Sequence, residues 1–126
     1  MGKRIVLQAI RLLVSLNLLY AAIFLKFAAA PDSVTLFIRM SQVVHGWISE
    51  PVFRLWSGVF ETFVAVLLLI PKTARTAAGL VVVWMGAVIL SHMFVLGYGW
   101  LFTDALIVLV LAVIYLLLTR RRSYWG

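Results

Sequence analysis

The chain has no cysteine among its 126 residues, and only 4 acidic residues stand against 11 lysines and arginines. The missing thiols exclude disulfide frameworks, thiolate metal sites and CxxC redox pairs, so any thiol chemistry has to come from a partner. Charge is scarce too: 12% of residues are charged and 65% are hydrophobic, against about 25% and about 45–50% in a soluble domain. That balance is built for lipid. Phosphate-binding loops, catalytic-triad spacings and metal-ligand clusters are all missing, and Gly79 and Gly86 read as notches for close helix packing.

What the sequence does contain is four apolar runs, roughly 5–28, 52–70, 76–96 and 100–119. Each approaches the length of about 20 residues that carries a helix across about 30 Å of hydrocarbon. The length suits one domain, so residues 1–126 are read as a single membrane domain. The net charge of +7 marks topology and not nucleic acid. Lys3 and Arg4, Lys72 and Arg75, and the run Arg120, Arg121, Arg122 all fall on one side if four spans are crossed. By the positive-inside rule that side is the cytoplasm, and both termini lie there. The start "MGKR" and the run ending "AAAPD" imitate a secretory signal, but Arg11, Lys26 and Pro31 argue for an uncleaved first span. Position six is Val6, which excludes the myristoylation pattern.

The connections "PKTAR" at 71–75 and "GYG" at 97–99 are short enough to force antiparallel neighbours. An all-α, up-down four-helix bundle follows. The longer connection is expected to hold an amphipathic helix over roughly 34–49 on the outer membrane face. Leu36, Phe37, Met40, Val43, Val44, Trp47 and Ile48 share one arc at helical spacing, while Arg39, Ser41, Gln42, His45, Ser49 and Glu50 fill the rest.

Every span contributes an ionisable group toward the outer side: Lys26, Arg54 and Glu61, His92, and Asp104. Glu61 lies near mid-membrane, where a charge costs at least about 2.5 kcal/mol. Arg54, Ser57, Gly58, Glu61 and Ala65 form one small, polar stripe, and Arg11, Ser15, Leu18, Ala22 and Lys26 another. Small residues allow close backbone approach in lipid, so the stripes are expected to face inward and meet. That puts Glu61 at the floor of a polar, outward-facing pocket roofed by the amphipathic helix. Its cost is offset either by pairing with Arg54 or Lys26, or by protonation, which desolvation favours. Lys26, Arg54 and Asp104, taken singly, sit where side chains snorkel and anchor. Arg11 is expected to snorkel to the cytoplasmic surface, and Asn17 and Tyr20 carry little signal. His92 reads first as a hydrogen-bonded packing residue. Because His45 belongs to the interfacial helix, a bis-histidine haem is disfavoured.

The order of these elements resembles the DoxX-like family of small four-helix membrane proteins over nearly the whole chain. The resemblance is carried by "RLLVSLNLLYAAIFLK" in span one, "GVFETFVAVLLLIPKTAR" in span two and "GLVVVWMGAVILSH" in span three. The chain departs from the family's usual Gly shortly before the span-one Lys, having "AAIFLK". That family is named for a subunit of a thiosulfate:quinone oxidoreductase, and related members accompany membrane redox systems. The resemblance implies a multi-pass protein of the bacterial cytoplasmic membrane that binds a quinone-like lipophilic ligand, with no covalent cofactor and no metal. As an enzyme it would be at most an accessory subunit of a quinone-linked oxidoreductase. By position Lys26, Glu61 and His92 match the family's recurrent polar residues. Glu61 and His92 are expected to handle protons, with Lys26, Arg54 and Asp104 binding the ligand. Expected partners are the bilayer, a redox protein or larger membrane complex, and a second copy of the chain, with no nucleic acid. Two rival readings are a proton-coupled small-molecule transporter and a non-catalytic assembly subunit. Against the first, small multidrug exporters carry their membrane Glu in the first span, where this chain has none.

Overall fold

The computed structural model describes residues 2–119. The basic run 120–122, which enters the topology argument, lies outside them. Among the described residues there is no strand, and four helices are long and apolar enough to cross a membrane. Helix α1 (Gly2–Tyr20) continues as a π-helical segment, Ala21–Phe27. Next come α2 (Pro31–Val43) and α3 (Glu50–Leu69). Helix α4 (Ala74–Ser91) runs into a second π-helical segment, His92–Leu96, and α5 spans Trp100–Thr119.

Helix α1 packs on α3 and α5, α4 packs on both α3 and α5, and α2 covers α3 and touches both π segments. The contact faces are lined by small and branched residues, including Ala65 on α3, Ala74, Ala77 and Ala78 on α4, and Ala105 and Ala112 on α5. Small side chains let backbones approach, so dispersion can hold helices together where burial from water supplies no drive. Ser15 and Ala22 on α1 and its extension, and Ser57, Gly58 and Glu61 on α3, are all buried, so the two expected stripes do face inward.

Three expectations change. Helix α2 is shorter and earlier than the expected 34–49. It starts at Pro31, whose fixed φ suits a first helical turn, and Asp32 complements the helix dipole there. It stops at Val43 because His45 (φ 58°) and Gly46 (φ 76°) turn left-handed, and the Gly46 N–H reaches back to the Ser41 carbonyl at 2.9 Å. Trp47 and Ile48 therefore lie off the helix, and Trp47 is 89% exposed. Glu50 belongs to the first turn of α3, not to the polar face of α2.

The packing notch is also misplaced. A Cβ on Gly79 or Gly86 would meet nothing within 4 Å, whereas one on Gly58 would lie 2.9 Å from the Phe27 ring and 3.3 Å from Lys26 Cβ. The close approach is thus between α3 and the π segment after α1.

Candidate functional site

Lys26 and His92 both sit in π-helical turns. In the first, the Ala28 N–H bonds the Ile23 carbonyl and the Ala30 N–H bonds the Leu25 carbonyl, each at 3.0 Å and five residues back. In the second, the Gly97 N–H reaches the His92 carbonyl at 2.7 Å. Such widened turns are rare and recur at functional sites, because the wider turn re-aims a side chain. Here each turn carries an ionisable residue inward: Lys26 is 9% exposed and His92 4%.

Lys26 settles how Glu61 is compensated. Its Nζ lies 2.6 Å from Glu61 Oε1, and the Trp84 indole N–H donates to Oε2 at 3.1 Å. The ammonium stands beside Oε1 but off the angle of an oriented hydrogen bond, so that oxygen has an ion-pair partner only. The same ammonium is 5.9 Å from the Phe37 ring centroid, a cation–π distance. Arg54, the other candidate partner, is committed elsewhere: its Nε bonds Glu50 Oε2 at 2.6 Å and its Nη1 donates to the Lys26 carbonyl. It is buried and pins the π segment to α3. Neither Lys26 nor Arg54 snorkels outward as its position along the chain predicted. Each instead pairs with a carboxylate, Lys26 with the buried Glu61 and Arg54 with the half-buried Glu50. Arg11, half-exposed, caps a helix, donating to the Leu68 carbonyl at 3.0 Å and the Leu69 carbonyl at 2.6 Å at the end of α3.

Asp104 on α5 accepts a 2.6 Å hydrogen bond from the Asn17 amide on α1. The His92 ring has its Nδ1 3.0 Å from the Gly97 carbonyl. A carbonyl can only accept, so Nδ1 carries the proton, and in the neutral ring Nε2 is left as an acceptor.

These groups line one cavity of about 280 Å³, with Lys26, Glu61, Asn17, Asp104 and His92 set among walls that include Phe37, Phe53 and Met85. Arg54 does not line it. The walls are mainly apolar, so the expected polar pocket is instead an apolar cavity with a few placed polar groups, the usual make-up of a small-molecule site. A dry apolar cavity of about 150 Å³ holds benzene, so this one admits a substituted six-membered ring. A second, more open groove of about 230 Å³ adjoins it, lined by Asp32, Arg39, Tyr98 and Trp100. Leu36, His92, Leu96 and Leu101 line both and form the wall between them. Among the described residues no three His, Asp or Glu side chains gather as a metal site would require.

Sequence reasoning missed Asn17, Trp84, Ser33 and Glu50. Asn17, expected to carry little signal, is corrected by the structure, since an amide inside an apolar helix needs a partner on another helix. Trp84 carried a weak signal, since a buried indole seeks an acceptor. Ser33, buried and lining the cavity, had none, because it lies before the expected start of α2. Comparison with known protein families, curated proteins and solved structures gives no match.

Proposed function

We propose that this chain is a DoxX-like, small membrane subunit of a redox system that binds a quinone-like lipophilic ligand in the cavity. In this reading it is an up-down four-helix bundle in a bacterial cytoplasmic membrane, with both termini inside and α2 at the outer interface. The observation that carries the ligand reading is the cavity itself. It is ring-sized and apolar-walled, and it places the Lys26–Glu61 pair, Asp104 and His92 around one space.

Lys26 retains protons beyond the one facing Glu61, and it supplies a donor for a ligand oxygen. Glu61 holds Lys26 in place and keeps that end of the cavity neutral overall. His92 and Asp104 supply acceptors at which ligand protons can be held. A bound quinone would contribute two-electron chemistry, and the electrons come from a partner, since the chain has no thiol pair of its own.

The test is organic extraction of the gently purified protein, with quinone content measured against protein. Ala105→Phe, which fills the cavity from α5 (Ala105 is 3% exposed and lines it), is expected to lower retained or added quinone at least tenfold. Equal binding by wild type and Ala105→Phe would overturn the reading. Orientation is checked separately by reporter fusions, with an external signal expected at Asp32 and an internal one at Gly126. An external signal at Gly126 would remove one span from the topology.

A further inference from the structure

Resting on the ligand reading above, we propose that Asp104, held by Asn17 and acting with His92, makes the cavity select the reduced, dihydroxy form of its ring ligand over the dicarbonyl form.

The argument is a donor–acceptor count. Most strong donors at the site are already committed: the Trp84 N–H to Glu61, the Asn17 amide to Asp104, and the Arg54 guanidinium to Glu50 and the Lys26 carbonyl. The His92 Nδ1 proton goes to Gly97. What remains toward the cavity, apart from the spare protons of Lys26 and the second N–H of the Asn17 amide, is acceptor capacity: the second Asp104 oxygen, the Asn17 amide oxygen and His92 Nε2. Ser33 and Ser57 also line the space, but a hydroxyl takes either role and discriminates nothing.

The two carboxylates are not equivalent. Glu61 has the Lys26 ammonium at 2.6 Å, whereas among the described residues Asp104 has no ion-pair partner and only the neutral Asn17 amide. Glu61, the acid that stands out in the sequence, is the compensated one, and Asp104 is the one without a cationic partner among the described residues. The charged or titratable groups sharing the cavity with it are Lys26, Glu61 and His92.

Both forms of a quinone-like ring can accept a hydrogen bond from Lys26 through a ring oxygen. They differ at Asp104. A ring hydroxyl donates to the carboxylate in a charge-assisted bond, whereas a ring carbonyl sets two acceptors against each other. One hydrogen bond to a charged group corresponds to about tenfold or more in affinity.

The experiment uses the full chain in nanodiscs, titrated anaerobically with a decyl-benzoquinone and, separately, with its chemically reduced benzoquinol. Wild type is expected to bind the quinol at least tenfold more tightly. Because the reduced form is favoured, the potential of the bound couple rises by about 30 mV per tenfold. This shift is measured on wild type alone and needs no variant to fold. In Asp104→Asn, where the Asn17 contact can re-form, the quinol-over-quinone preference is expected to fall several-fold, to the part that His92 supplies. Equal affinities or tighter quinone binding in wild type, or an undiminished preference in Asp104→Asn, overturns the inference and leaves the ligand reading standing. Binding of neither probe sinks the ligand reading, and this inference with it.

Discussion

At the end where α3 turns into α4, long polar side chains are spent mainly on backbone: Arg11 on the last carbonyls of α3, and Arg75 on the Leu116 carbonyl, with the Thr119 hydroxyl as its one side-chain acceptor. Between these caps Val14, Leu68, Val81, Ala112 and Tyr115 close around a crevice with no room for a water molecule. At the other end the helices widen into π turns, the polar side chains pair with one another, and a cavity of about 280 Å³ opens among them. The closed end uses polar groups to finish helices and so needs no open space. The cavity end uses them side chain to side chain, which holds the helices apart and leaves polar atoms facing a space. The comparison teaches where stability and function are separable in this chain.

The largest expected effect breaks the cavity end. Lys26→Met strands the Glu61 carboxylate and should destabilise the fold by about 3–5 kcal/mol, as removal of one partner of a buried pair does. The double variant Lys26→Met/Glu61→Gln should recover most of that in the same detergent denaturation series. A neutral single variant would mean that the pair is solvated. Glu61→Gln alone should also destabilise, since it leaves the Lys26 ammonium unpaired.

Somewhat smaller is the effect of deleting Ile23 from the first π segment. Losing one residue restores α-helical register and turns Lys26 by about 100°. The deletion should cost about 3 kcal/mol through the lost pair and abolish quinone retention. Retention at the wild-type level would show that the widened turn does not aim Lys26.

At the closed end, Val81→Ala removes methyl groups from a site that is 1% exposed. It should cost about 1–2 kcal/mol in the same denaturation assay, with ligand retention unchanged. A loss of ligand would join the two ends that the structure separates.

Smallest of all is Tyr115→Phe. The Tyr115 hydroxyl is buried with no hydrogen-bond partner among the described residues, so its removal should change stability by less than about 1 kcal/mol, or raise it. A loss larger than that would reveal a partner for the hydroxyl.

The sequence alone determined that the described chain is helical, with four apolar segments and inward stripes at Ser15–Lys26 and Arg54–Ala65, because composition and helical period depend only on residue order. By counting along helices it also placed Lys26, His92 and Asp104 toward the outer ends of their spans, with Glu61 deeper, near mid-membrane. Tertiary structure decided who pairs with whom. Arg54 and Lys26 were equally placed to meet Glu61, and the choice fell to Lys26 because a π turn, allowed by Gly58 against Phe27, swings it inward while Glu50 takes Arg54. Helical periodicity runs α2 through Gly46 to residue 49, and the left-handed turn at His45 and Gly46 that ends it at Val43 came only from the tertiary structure. Contacts such as Asn17 with Asp104, 87 positions apart, leave no periodic trace in either helix. Pairing is a matter of ångström-scale distance and angle between side chains on different helices, and helical periodicity fixes only the face on which each one starts.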